Sequence, residues 1–233
     1  MSTPQLDETA RWTALTEAED KALTLFDAIE AAGIIAPGRS ETEVDADINA
    51  LAHSELGIAR HWHTCNVRVG ANTVTTFHDS PPVRVIQADD TVYVDLGPVF
   101  EAWEADVGRT YVVGDDAAKH ALVAALPVVF EQVRAQWLAA PDMTGAALYG
   151  LACETAGAHG YHFGGSIAGH VVAEFPHAVW PGDKDHQRIS PANRTRLTDA
   201  DPFGRPRHWI LEIHLLEPGR TWGGFYERLL RKS

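Results

Sequence analysis

Aspartate is a poor strand former, yet Asp95 stands inside the apolar run Val92-Tyr93-Val94-Asp95-Leu96. A residue type so out of place asks for a compensating partner. The segment TVYVDLGPVFEAWEADVGRTYVV reads as two strands around a short connection. A two-residue turn at Phe100-Glu101 sets Asp95 opposite Asp106. Side chains directly opposed in a sheet lie about 4.5–5.5 Å apart at Cβ, and like charges there are destabilising unless a cation sits between them. The segment HWILEIHLLEPGRTWGGFYERLL repeats the device. Pro218-Gly219 is a turn dipeptide, and a turn at Gly219-Arg220 sets Glu212 opposite Glu227. On the first of these strands His208, Ile210, Glu212 and His214 share a face, and Trp209, Leu211, Ile213 and Leu215 share the other. That pattern describes a strand packed on helices with a polar cavity opposite. Glu217 is the competing carboxylate, but alternation puts it on the opposite face, and it ranks second.

Four inward carboxylates repel one another prohibitively without metal. Bridging carboxylates around two divalent ions about 3.5–4 Å apart are the usual solution. Oxygen-rich ligands with a histidine suit Mn, Fe, Co or Zn. The other candidates read as structural. His61 and His63, in the tripeptide HWH, have same-face spacing for a metal but read as solvent-facing imidazoles on a strand. Trp103, Trp180, Trp209 and Trp222 read as core or pocket wall. Gly164-Gly165 is not a phosphate loop, because no Lys-Ser/Thr follows.

The elements that must position these residues follow from periodicity and punctuation. Residues 7–33 read as helix, with Leu23, Leu25, Phe26 and Ile29 forming an apolar stripe and Gly33 and Pro37 as stop signals. Ser40 with Glu43 is a capping box opening a second helix. Residues 66–74, 91–96 and 107–113 read as strands. Residues 116–139 read as helix, with Pro127 expected to kink or divide it. A further helix covers 144–156, and strands follow around 169–175, 208–216 and 222–230. Helices, then strands, then helices, then strands describe an α+β fold with helices packed on an antiparallel sheet. The two halves echo each other, each ending in a hairpin.

The chain has 233 residues, 45% hydrophobic and 22% charged, a globular balance. No linker marks a boundary, so one domain is expected, with N-terminal helices over 1–60 and the site core over 61–233. The absence of an apolar run of about 18 residues excludes a transmembrane helix. The start lacks a secretory signal, so a cytoplasmic location is expected. Nineteen basic against thirty-two acidic residues, net −13, leave little for a nucleic-acid face. Two cysteines, Cys65 and Cys153, cannot build a disulfide framework and read as buried thiols.

With a Gly-His segment at Gly169-His170, and a second histidine seven residues on at His177, the chain resembles the pita-bread metallopeptidases: methionine aminopeptidase, aminopeptidase P, prolidase and creatinase-type proteins. The motifs that carry the resemblance are Val94-Asp95-Leu96-Gly97, Asp106 before Gly108-Arg109-Thr110, His170, His177, and Glu212 with Glu227. It covers about residues 60–230. It implies a curved antiparallel sheet with helices outside and pseudo-two-fold halves. It also implies a dinuclear site with Asp95 on one metal, Asp106 and Glu227 bridging, and His170 and Glu212 on the other. His177 would steady the reacting carbonyl oxygen, and His78, in FHDSPP, looks like the upstream histidine some members place near the scissile amide. The departures are Val171-Val172-Ala173 after His170 where relatives carry glycines and Leu211-Glu212-Ile213 where they carry Ile-Glu-Pro, and the extra N-terminal domain of prolidase-type enzymes is not expected.

The function this implies is hydrolysis of a C–N bond, as an aminopeptidase of Xaa-Pro or methionine aminopeptidase type, with Glu212 as general base. Rival readings keep the fold: a creatinase-like hydrolase or a lyase on a small molecule, or a metal-free peptide-binding module. The expected partners are a peptide or small-molecule substrate and a second copy in a homodimer, with no nucleic acid and no membrane.

Overall fold

The computed structural model describes residues 7–232. Residues 1–6, part of the stretch 1–60, lie outside the described residues. In chain order the elements are helices α1 (Glu8–Ala31) and α2 (Glu41–Leu56), then strands β1 (Asn66–Val69), β2 (Thr91–Leu96), β3 (Val99–Phe100), β4 (Trp103–Glu104) and β5 (Val107–Val112). Helices α3 (Ala117–Ala139) and α4 (Gly145–Ala158) follow, then strands β6 (His162–Phe163), β7 (Val171–Val172), β8 (His208–Leu216) and β9 (Gly223–Leu229). The main sheet is antiparallel throughout and runs β1-β2-β5-β9-β8-β6, with β7 also on β8. The α+β expectation holds.

Local signals set the helix starts. Asp7 accepts from the Ala10 amide, Ser40 and Glu43 close the capping box, Asp116 accepts from Ala118 and Lys119, and Thr144 accepts from Ala147. Each cap satisfies an amide that the first turn leaves without an intrahelical partner. Pro127 does not divide α3, which runs unbroken from Ala117 to Ala139. Proline removes one helical hydrogen bond, and here Leu122, Leu126, Val129, Phe130 and Val133, on both sides of it, are pinned in one buried cluster.

The core falls into two clusters. One joins α1 and α2 to Val67, Val69, Val92, Val94, Leu96 and Val107 of β1, β2 and β5. The other joins α3 and α4 to Trp209, Leu211, Ile213 and Leu215 of β8. Each half of the chain thus backs its own hairpin with its own helix pair. Alternation then forces the intervening residues, Tyr93 and Asp95 or Glu212 and His214, onto the opposite face.

Three corrections concern this frame. The expected strand 66–74 stops at Val69 and continues as a 3₁₀ turn over Gly70–Val74. Gly70 has φ +54°, and a Cβ there would lie 2.7 Å from Asp90 Oδ1, so the chain must turn. The turn is tied to the far hairpin: the Gly223 amide donates to Thr73 Oγ1 at 2.8 Å, and the Thr73 carbonyl lies 2.7 Å from His214 Nε2. Second, the turn after β2 is shifted. Val99 pairs with Glu104 and Phe100 with Trp103 in a small separate ribbon, and Asp95 lies opposite Gly108 instead of Asp106. The shift is two residues, so every side chain keeps its face. Third, of the strand expected at 169–175 only Val171–Val172 forms.

The first helix also ties down the last strand. The Glu19 carboxylate of α1, buried, accepts from the Leu229 amide at 2.6 Å and from Arg231 Nε at 2.7 Å.

Candidate metal centre

A single cross-strand row builds most of the site. Asn66 pairs with Asp95, Asp95 with Gly108, Gly108 with Glu227, and Glu227 with Glu212. Three carboxylates therefore stand in one line across five strands, and Asp106 joins them from two residues before Gly108. The Glu212–Glu227 pairing is the register the turn at Gly219-Arg220 predicts. Gly108 is a required gap, because a Cβ there would meet the Phe225 ring at 2.6 Å and Glu227 Cβ at 3.1 Å.

His170 approaches from the connection before β7. Its Nε2 lies 2.9 Å from Asp106 Oδ2, 3.8 Å from Glu227 Oε1 and 3.9 Å from Glu212 Oε1. Its position depends on Gly169, whose φ is +135° and whose Cβ would lie 2.0 Å from the Ile210 carbonyl oxygen. His177 stacks parallel on His170, ring centroids 5.7 Å apart. Its Nδ1 is held by Glu104 Oε2 and its amide donates to Glu104 Oε1 at 3.0 Å. With Nδ1 committed, the ring presents Nε2 to the cavity. All these side chains except Glu104 line one cavity of about 410 Å³, of the size that takes a small ligand.

The remaining sequence candidates separate clearly. His78 lies at the cavity mouth, exposed, against Phe77. Glu217 faces the hairpin turn, where its Oε1 accepts from the Thr221 amide at 2.7 Å and from Thr221 Oγ1 at 2.9 Å. It has no place in the cavity. His208 turns away as well, to Glu8 at 2.8 Å and the Trp12 ring. Cys65 and Cys153 are free thiols, partly rather than fully buried.

His63 departs from the expected solvent-facing strand. Its side chain is 7% exposed, and its Nε2 lies 3.2 Å from Asp106 Oδ1 and 3.5 Å from Asp95 Oδ1. The HWH segment forms only an isolated bridge, His61 with Pro98, and this carries His63 inward. Glu104 carried no signal except a charge between apolar Trp103 and Ala105, which in hindsight marks a buried carboxylate.

The electrostatics follow from this crowding. Burial pushes Asp95 up to about 7 and Glu212 up to about 8, and burial with the nearby Asp106 and Glu212 charges raises Glu227 well above the usual carboxylate range. Burial alone would lower His63 and His170, but Asp95 and Asp106 lift His63 to about 10, and Asp106 leads in lifting His170 to about 9. Against its own burial, Asp106 is held well below the usual carboxylate range by the two imidazoles. In the metal-free protein the histidines thus supply part of the positive charge that the carboxylates require.

A pH dependence follows. Glu212, His63 and His170 hold protons more tightly in the folded protein than in the unfolded chain, so the stability they contribute is lost as pH rises through their folded values. Asp106 acts oppositely, but only below its ordinary value of 3.8. The metal-free protein should therefore lose thermal stability as pH rises from 4.5, the ordinary value of Glu212, to about 10. Divalent metal, which replaces those protons, should raise Tm by more at pH 8.5 than at pH 6.5. Thermal scans with chelator and with Co(II) test this; a gap that does not change with pH would contradict it.

The donor set suits divalent cations. Asp95 Oδ1 is buried with no hydrogen-bond partner, a costly arrangement unless something binds there. Two groups of donors, His63 with Asp95 and Asp106, and Asp106 with His170 and Glu227, each fall within 4.8 Å of one another. Asp106 is shared by both.

The sequence pattern of Metallopeptidase family M24 matches residues 13–197. No curated protein matches the chain in sequence. Among solved structures, the chain is similar to the prolidase of Thermococcus sibiricus, with TM-score 0.69 and 19% identity over 95% of this chain and 56% of that one. It is similar to the X-Pro aminopeptidase of Thermotoga maritima, with TM-score 0.71 and 19% identity over 98% of this chain and 63% of that one. It thus spans less than two thirds of either. The methionine aminopeptidase of Thermotoga maritima gives TM-score 0.65 and 18% identity, over 97% of this chain and 94% of that one. The fold these likenesses show is the pita-bread arrangement, and with most of its length matched by the family pattern the chain belongs to metallopeptidase family M24.

Proposed function

We propose that the chain is a hydrolase that uses two divalent metal ions to cleave the N-terminal C–N bond of a peptide, as an aminopeptidase of Xaa-Pro or methionine type. The observation that carries this reading is the convergence of Asp95, Asp106, Glu212, Glu227 and His170 on one cavity, with the buried Asp95 Oδ1 lacking a hydrogen-bond partner. In this reading Asp95, Asp106, His170, Glu212 and Glu227 would hold the two ions, with Asp106 and Glu227 serving both.

When bound, two such ions polarise a carbonyl oxygen and make water acidic enough to attack it near neutral pH. The chain's own groups do the rest. Glu212 takes the proton of the attacking water and later passes it to the departing amine. His177, its Nδ1–H accepted by Glu104, would need a proton on Nε2 as well, and would then donate Nε2–H to the carbonyl oxygen as charge builds there, a contribution usually large in acyl transfer. His78 is set at the mouth to meet the peptide on either side of the bond. Trp62 and Phe77 wall the cavity.

The test is a panel of Xaa-Pro and Met-Xaa dipeptides against protein stripped of metal and reloaded with Co(II) or Mn(II). Release of the N-terminal amino acid only after reloading is expected. With both ions bound and no release from any dipeptide, the peptidase reading fails and small-molecule hydrolysis or elimination takes its place. His177→Asn should keep both ions and lose about 10²–10³-fold in kcat/KM. Unchanged turnover in that variant would remove His177 from the reaction.

A further inference from the structure

His63 has no counterpart in the set of two aspartates, one histidine and two glutamates that the resemblance implies, yet its surroundings are built to aim it. The Trp62 amide donates to the Gly97 carbonyl at 2.9 Å, and the Val99 amide donates to the Arg60 carbonyl at 2.9 Å. Residues 60–63 are thereby laid along the chain that leaves Asp95. Trp62 Nε1 donates to the Ala105 carbonyl at 3.2 Å, which fixes the same segment beside Asp106. Gly97 then provides the space. A Cβ at that position would lie 2.2 Å from His63 Cδ2, 2.4 Å from its Nε2 and 2.7 Å from Trp62 Nε1. The backbone of Gly97 does not adopt the left-handed conformation that would otherwise explain a glycine. What its missing side chain makes room for is the imidazole.

The ring is also held as a ligating ring is held. His63 Nδ1 lies 2.7 Å from the Thr64 carbonyl, as His170 Nδ1 lies 2.8 Å from the Val171 carbonyl. In each case the following residue's carbonyl takes the Nδ1 proton, and Nε2 is turned to the carboxylates. A backbone carbonyl on the other ring nitrogen is the usual support of a metal-bound histidine. The two rings approach Asp106 from its two oxygens, His63 on Oδ1 at 3.2 Å and His170 on Oδ2 at 2.9 Å. Two donors about 2.1 Å from one ion, at tetrahedral to octahedral angles, stand roughly 3.0–3.4 Å apart. The separations of His63 Nε2 from Asp106 Oδ1, 3.2 Å, and from Asp95 Oδ1, 3.5 Å, are of that size.

We propose that His63 is a metal ligand, completing with Asp95 and Asp106 the coordination of the ion on the Asp95 side, so that each of the two ions receives one imidazole nitrogen. This rests on the two-metal reading above. It also narrows the metal: a nitrogen donor in place of an all-oxygen shell moves that position from Mn(II) towards Co(II), Fe(II) or Zn(II).

The experiment is Co(II) loading of the metal-stripped full chain, as wild type and as His63→Asn, with two readouts. Equilibrium dialysis gives the number and affinity of bound ions. Proton NMR in H₂O and D₂O counts the exchangeable, hyperfine-shifted imidazole N–H signals, one for each ligated ring that keeps its Nδ1 proton. Wild type should bind two ions and show two such signals. The variant should keep the His170 signal, lose the other, and bind one ion at least about 10–100-fold more weakly, the loss seen even when an outer-shell partner is removed. Two ions with a single N–H signal in wild type would overturn the assignment of His63 while leaving the two-metal reading intact. Binding of fewer than two ions by wild type would overturn that reading and this proposal together. The wild-type signal count decides the matter if His63→Asn fails to fold.

Discussion

Replacing Asp106 with asparagine should strip the protein of metal and lower turnover by at least about 10³-fold, while its circular dichroism stays that of the wild type. Each oxygen of Asp106 faces a different imidazole, His63 at 3.2 Å and His170 at 2.9 Å, and the residue belongs to both groups of potential ligands. An asparagine preserves the shape but offers one oxygen and no charge. One side then gains an amide that cannot ligate, and both sides lose the anion that offsets their cations. The fold should survive, because the two apolar clusters that back the sheet do not include this residue. Elemental analysis of the purified variant is the measurement. Full occupancy with two ions would show that Asp106 does not bridge.

Gly169→Ala should produce the largest loss of stability of any single methyl added near the site. Its φ of +135° is a conformation that side chains with a Cβ rarely adopt, and the new carbon would lie 2.0 Å from the Ile210 carbonyl oxygen. Neither strain can relax alone. The Ile210 amide donates to the His170 carbonyl at 2.8 Å and the Glu212 amide to the Ala168 carbonyl at 3.1 Å, so residues 168–170 are laced to β8. The alanine must push this segment off the strand at a cost of about 3 kcal/mol or more, and His170 moves with it. Denaturant titration should show the lower stability, and Co(II) binding should show that the His170 side of the site has weakened. An unchanged midpoint would mean that the backbones do not approach so closely.

Where a residue's role is local, the sequence already spelled it out. Ser40 with Glu43 closes a capping box within one turn. The Glu212–Glu227 pairing follows from a tight turn between two long alternating strands, because hairpin register is set by its loop. Roles that depend on distant segments were hidden. His63 and His61 look alike in HWH, and only Gly97, together with the backbone bonds along 97–99, sends His63 inward. Glu104 acquires its meaning from His177, a residue 73 positions away. The intervening ribbon of β3 and β4 shifted the first hairpin by two residues, an error that preserved every face and so left the inward direction of Asp95 and Asp106 legible.

Strand ends ordinarily fray, and a metal-binding residue two positions from the last rung of a ladder would share that looseness. Glu227 stands in that position on β9. The carboxylate of Glu19, reaching from the opposite end of the described chain, grips the Leu229 amide and Arg231 just beyond it. Unzipping this end of β9 therefore requires α1 to let go first, and the last rung inherits the rigidity of a helix docked in the core.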